Sequence, residues 1–140
     1  MQDITTFITN HPFLSLMIAV IIVLLMILEW IRLQRNTFQV TPFTATQLIN
    51  RDKAVVIDIR PTESFNKGHI IDAESMPAQE LKDHLQKLEK FKGRPIIIVC
   101  TAGVESQKIA ALLLKQGYNA YSLASGMRAW KEANMPIVKE

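Results

Sequence analysis

The sequence predicts an α/β domain, a mostly parallel sheet with helices on both faces, preceded by one transmembrane helix. Three observations carry this expectation. Two short runs rich in β-branched residues, 54–59 and 96–99, have the length of strands, and 96–99 has the composition of one buried on both faces. Segments of helical periodicity alternate with them, which implies βαβ crossovers and parallel pairing. Ahead of all this, 17 of the 20 positions in 12–31 are hydrophobic, the exceptions being Pro12, Ser15 and Glu29.

That N-terminal run holds no charge between residues 13 and 28. With its flanks it reaches the roughly 20 residues a helix needs to cross a ~30 Å hydrocarbon core. Pro12 suits the first helical turn, where its missing N–H is no loss. Trp30, Arg32 and Arg35 have the make-up of an interfacial anchor. A signal peptide would begin with basic residues and end on small ones, whereas 2–12 contains no Lys or Arg and 29–32 reads Glu-Trp-Ile-Arg. A soluble core helix in so small a protein would not be apolar on every face. A membrane anchor is therefore expected, with an exported protein behind a cleaved signal as the alternative. Asp3 is the only side-chain charge before the span, while Arg32, Arg35, Arg51 and Lys53 follow it. The positive-inside rule then gives a single-pass protein of the cell inner (plasma) membrane, N-terminus outside and domain in the cytoplasm. The expected division is a short N-terminal segment 1–11, the transmembrane helix 12–31, a juxtamembrane linker 32–36 and the α/β domain 37–140.

Within the domain, 38–40 is a short strand candidate. Thr44, with Gln47 three residues on, has the form of a capping box opening a short helix. After the strand at 54–59, Pro61 starts a helical turn that Gly68 ends, and 74–76 adds a brief extended piece. Leu81, Leu85 and Leu88 recur at spacings of four and three, predicting one amphipathic helix over 78–90. Gly93 and Pro95 turn the chain into the strand at 96–99. Residues 103–116 form the next helix, with Ile109, Leu112 and Leu113 inward and Gly117 just past its end. A strand at 119–123 and a helix at 127–133 complete the domain.

The 140 residues have room for one core. A single cysteine excludes an intramolecular disulfide and any CxxC metal or redox pair. A net charge of +3, from 16 basic and 13 acidic residues, gives no electrostatic footprint for nucleic acid, and no such partner is expected.

In a parallel sheet, ligands collect outside the carboxyl ends of the strands. Cys100 sits there, at the end of the most apolar strand, and 101–106 runs straight into a helix. A loop wrapped around a cysteine at this junction turns backbone N–H groups toward the sulfur, with a helix N-terminus behind them, and so stabilises a thiolate. Gly103 supplies the freedom to curl closely. The competing reading is that Cys100 is a small buried hydrophobe.

Five segments in order, Asp58-Ile-Arg60, 63–73 with Gly68-His69-Ile70, Met76-Pro77, Cys100-Thr-Ala-Gly-Val-Glu-Ser106 and 123–130 ending in Trp130, resemble a single-domain rhodanese over about residues 37–138. The resemblance implies a rhodanese-like sheet and a sulfurtransferase of the thiosulfate sulfurtransferase kind. Cys100 would be the catalytic nucleophile. The active-site loop Thr101, Ala102, Gly103, Val104, Glu105 and Ser106 would bind the substrate. A small sulfur donor (thiosulfate or a persulfide) and a thiol or cyanide acceptor would be its partners, with no metal and no cofactor. Cysteine phosphatases use a similar loop but need an arginine at its end, where this chain has Ser106. The loop also departs from the active rhodanese pattern, in which basic residues often stand at the positions of Thr101 and Glu105. Glu105 would repel anionic thiosulfate, with Lys108 one turn on as a candidate compensator. A neutral or protein-bound persulfide would then be the better donor.

Asp58, Arg60 and His69 are rim or structural candidates. For Asp58 and Arg60 a fold-stabilising network is preferred, with Arg60 and Glu63 as the expected pair. His69 is read as a structural hydrogen-bonding residue, Trp130 as a core plug, and the charged run 82–92 as a solvated face. The leading reading is a membrane-anchored sulfurtransferase contacting the lipid bilayer. The alternative is a weakly active or inactive rhodanese-fold binding module that recruits or regulates membrane-protein partners.

Overall fold

The computed structural model describes residues 1–36 and 38–139, with 34–36 described by backbone alone. Thr37 and Glu140, the outer bounds expected for the domain, and the side chain of Arg35 lie outside the described residues. The chain divides into two units, Met1–Thr37 and Phe38–Glu140.

The first unit is helical. Residues 1–11, expected as a plain segment, contain α1 (Gln2–Asn10), where Thr5, Thr6 and Thr9 hydroxyls bond carbonyls one turn back. The chain breaks at His11 (ψ 64°) and Pro12 opens α2 (Pro12–Asn36). Its apolar stretch Pro12–Leu33 is 22 residues, about 33 Å at the α-helical rise, and none of it is buried by protein. Residues 32–36, expected as a linker, continue this helix, since Ile31-Arg-Leu-Gln-Arg-Asn36 contains no residue that breaks one.

The second unit is a five-stranded parallel sheet in the order β1-β6-β5-β2-β4. Its strands are β1 (Gln39–Val40), β2 (Val55–Asp58), β4 (Glu74–Ser75), β5 (Ile96–Val99) and β6 (Ala120–Leu123). Alternation in β5 divides the core. Ile96, Ile98 and Cys100 pack on one face with Leu81, Leu88, Ile109 and Leu113. Ile97 and Val99 pack on the other with Ala45, Leu123, Met127 and Trp130. Helices α5 (Ala78–Asp83) and α6 (Val104–Lys115) therefore cover the first face, and α3 (Pro42–Asp52) and α7 (Gly126–Glu132) the second. Leu112 is half-buried, whereas Ile109 and Leu113 are fully inside. Gly117, at φ +90°, follows α6 as expected.

Two expectations about helices are corrected. The cap of α3 is Thr41, whose Oγ1 accepts from the Thr44 N–H at 3.2 Å, because Pro42 is pre-set for the first helical position and pulls the start three residues earlier. The helix expected over 78–90 stops at His84 and resumes as a 3₁₀ turn over Leu85–Phe91. There the period of three puts Leu85, Leu88 and Phe91 on one side, all packed against the core. A further short helix, α4 (Thr62–Lys67), leads into β3 (His69–Ile70), which pairs antiparallel with β7 (Ile137–Val138). This second sheet was not foreseen, since two-residue strands leave no periodicity to read.

Candidate active site

β5 is the central strand, and Cys100 follows its last residue. The chain then turns through Thr101-Ala-Gly103 and enters α6, with Gly103 at the N-cap in the left-handed region (φ +92°). That conformation lets the Gly103 N–H donate to the Cys100 sulfur at 3.0 Å. A side chain there would also meet the Ser125 nitrogen at 2.8 Å. Cys100 donates to Ser106 Oγ at 3.3 Å, and Ser106 in turn donates to the Gly103 carbonyl at 3.1 Å. Ser106 Oγ also lies 2.9 Å from Ser122 Oγ on β6. Both serines are fully buried.

The loop is held from its other side by α7. The Met127 N–H donates to the Cys100 carbonyl at 2.8 Å and the Arg128 N–H to the Thr101 carbonyl at 3.2 Å. Gly126 allows this approach, since a Cβ there would fall 2.2 Å from the Cys100 carbonyl oxygen. The sulfur thus sits beside the start of α6, where unpaired N–H groups and the helix dipole favour negative charge.

A cavity of about 220 Å³ opens over the loop, lined by Ile59, Arg60, Pro61, Cys100, Thr101, Ala102, Val104 and Glu105. The structure therefore brings Cys100, Thr101, Ala102, Val104 and Glu105 to one mouth, with Gly103 and Ser106 beneath it. Arg60 reaches the cavity wall with its guanidinium held by a buried carboxylate and a backbone carbonyl. Its Nε and one terminal nitrogen bond both Asp58 oxygens at 2.8–3.1 Å, and that terminal nitrogen also donates to the Gly68 carbonyl at 2.7 Å. The expected Arg60–Glu63 pair is not formed. Asp58 is buried beside the guanidinium while Glu63 points into solvent, so the desolvated charge is met by the desolvated partner.

His69 does not line the cavity. Its ring stacks on Phe65 at 3.8 Å between centroids, and Nδ1 lies 2.8 Å from the Phe65 carbonyl. Glu105 has Lys82 of α5 at 3.8 Å, a partner the sequence did not indicate because α5 and α6 come together only across the fold. Elsewhere on α5, the hydrogen bond and charge of Lys87 hold the exposed Glu80 carboxyl below its ordinary range. Ser122 and Gly126 were also missed as site residues. The available signal for Ser122 was a lone hydroxyl in phase with core-facing Ala120 on an apolar strand. Among the described residues no group of three or more His, Cys, Asp or Glu could hold a metal ion.

A family model described as the rhodanese-like domain matches residues 41–133. The chain is 33% identical over 141 residues to the uncharacterized protein YibN of Escherichia coli K12, covering 99% of each. It is 31% identical over 94 residues to the thiosulfate sulfurtransferase GlpE of Coxiella burnetii (RSA 493), covering 66% of this chain and 86% of that one. Among solved structures, a rhodanese-related protein from Thermoplasma volcanium superposes with a TM-score of 0.67 at 22% identity, covering 73% of this chain and 98% of that one. At that identity the likeness speaks to the fold alone.

Proposed function

The chain belongs to the rhodanese family, and on that footing we propose that it is a membrane-anchored sulfurtransferase carrying sulfane sulfur on Cys100. The observation that carries the reading is the Cys100 sulfur at the floor of an open cavity, receiving the Gly103 N–H beside the start of α6. In the first half-reaction the Cys100 thiolate attacks the outer sulfur of a donor, the donor's S–S bond breaks, and sulfite or a thiolate leaves with the electron pair. The product is a Cys100 persulfide whose terminal negative charge lies in the loop. In the second, an acceptor thiolate or cyanide attacks that outer sulfur and the Cys100 thiolate departs. This is covalent catalysis in which fixed backbone dipoles hold the developing charge.

The mouth also speaks to the donor. Of the charged residues that line it, Arg60 is paired with Asp58 and Glu105 has Lys82 beside it, and its rim carries exposed Val104 beside Ala102 and Pro61. A neutral, organic or protein-borne persulfide suits such a surface better than thiosulfate dianion. The same paired charges favour a second reading, a module that binds membrane-protein partners with little turnover.

The two readings separate on the full-length protein in detergent. After incubation with a sulfane donor, intact mass gains one sulfur atom, cyanide removes it as thiocyanate, and Cys100→Ser abolishes both. No added sulfur with thiosulfate or an organic persulfide leaves the binding module. Thiocyanate formation that survives Cys100→Ser rejects the nucleophile.

The apolar stretch of α2 is long enough for a bilayer, and its flanking charges support an external N-terminus. Under this reading the protein stays with membranes through alkaline extraction. In a Cys100→Ser background, Gln2→Cys is labelled by an impermeant maleimide in intact cells. Release on extraction rejects the anchor, and labelling only after lysis reverses the orientation.

A further inference from the structure

We propose that Ser122 is a positioning residue for Cys100, acting through Ser106 as the fixed end of a buried hydroxyl relay. The inference rests on the reading of Cys100 as the reactive thiolate and extends it to a strand outside the loop.

A serine hydroxyl has one proton to give and two lone pairs to receive. With Cys100 as a thiol, the Ser106 proton goes to the Gly103 carbonyl at 3.1 Å and its oxygen receives the thiol proton at 3.3 Å. The 2.9 Å contact between Ser106 and Ser122 must then be a donation from Ser122, because Ser106 has no second proton. When Cys100 ionises, its proton leaves to solvent through the cavity and Ser106 loses that donor. The Ser106 proton is free to turn onto the sulfur at the same distance, since the Gly103 carbonyl, at the N-cap, keeps the first intrahelical bond. This rotation leaves the Ser106 oxygen, fully buried, with Ser122 as its donor. Ser122 therefore supports the thiolate arrangement more than the thiol one, and likewise an anionic persulfide.

The position is a product of the fold. Ser122 opposes Ile98 in the parallel β5–β6 register and shares the face of Ala120, the side on which α6 packs. An apolar residue would otherwise fit there. The charged groups at the cavity are Arg60, held by Asp58, and Glu105, with Lys82 beside it. The hydroxyl of Ser122 meets Ser106 instead, so its effect on the sulfur runs through Ser106.

The test is the rate of Cys100 alkylation by iodoacetamide against pH, in full-length protein in detergent, for wild type, Ser122→Ala, Ser106→Ala and the double variant. Ser122→Ala is expected to move the profile to higher pH. Below the midpoint its rate falls about 3- to 10-fold, the scale of one net hydrogen bond, while the high-pH plateau is unchanged. In the Ser106→Ala background, Ser122→Ala adds nothing. An unmoved profile, a lowered plateau alone, or an equal shift with and without Ser106 overturns the proposal. Ser122→Thr keeps the hydroxyl and is expected at the wild-type midpoint, and it stands in if the alanine variant does not fold. A Ser122→Thr midpoint as high as that of Ser106→Ala also overturns it. Alkylation reports the thiolate without sulfur transfer, so this result and the persulfide measurement can fail separately.

Discussion

Gly126→Ala tests whether the start of α7 is what braces the Cys100 loop. The added Cβ would sit 2.2 Å from the Cys100 carbonyl oxygen and 2.8 Å from the Thr101 carbonyl carbon, both backbone atoms, where ordinary contact begins at 3.4 Å. Loop and helix must part by about 1 Å, which weakens the Met127 and Arg128 hydrogen bonds to those two carbonyls. At about 1 kcal/mol for each bond, plus about 1 kcal/mol for alanine at φ +58°, the loss is about 3 kcal/mol. Gly93→Ala is the matched control, because φ is +87° there and nothing lies within 4 Å of the new Cβ. It carries the backbone term alone, about 1 kcal/mol. Urea unfolding can be followed by the fluorescence of Trp130, buried in α7 itself, in a Trp30→Phe background. With a slope of ~1–3 kcal/mol per molar urea, the Gly126 variant should unfold about 1 M or more below wild type. If Gly126→Ala and Gly93→Ala differ by less than about 1 kcal/mol, close packing of α7 on the loop is not what stabilises the site.

The charges at the mouth make a paired prediction for thiosulfate. Glu105→Gln lowers KM and Lys82→Met raises it, each by about two- to fivefold at low salt as befits an exposed pair, and 0.5 M salt removes the difference; equal effects on a neutral persulfide donor would reject it. Asp58→Ala strands the buried Arg60 guanidinium and costs about 3–5 kcal/mol, whereas Glu63→Ala stays within about 0.5 kcal/mol. Chemical denaturation of both variants checks the contrast, and comparable losses would restore the Arg60–Glu63 pair. Glu80 titrates below its ordinary range because of Lys87, so its contribution to stability is present above the unfolded-state value and fades as pH falls through the lowered one. Lys87→Met is expected to return the Glu80 carboxyl to its ordinary midpoint by NMR titration, and an unchanged midpoint rejects that cause.

Most of the fold was legible where the hydrophobic pattern is long enough to have a period. The strands at 55–58 and 96–99, the helix after Cys100 and the apolar run after Pro12 all carry their own signal. Legibility failed where tertiary packing chose among local options. Leu81, Leu85 and Leu88 fit a continuous α-helix as well as an α-helix followed by a 3₁₀ turn, and it is Phe91 reaching the core that selects the second. The β3–β7 pair has only two residues on each side, separated by most of the domain.

The site divides in the same way. Local pattern was enough to read a doubly buried strand running up to Cys100, the freedom of Gly103 to curl behind it, and a helix beginning next. Those are local consequences of strand period, left-handed backbone and helix start, all within residues 96–104. The surroundings of that loop come from long-range packing: Ser122 across the β5–β6 register, Gly126 and α7 over the Cys100 carbonyl, Lys82 beside Glu105, and Asp58 rather than Glu63 on Arg60. A side chain's face follows from its own strand or helix, whereas its partner depends on how separate elements register and pack. That geometry is set by the whole core.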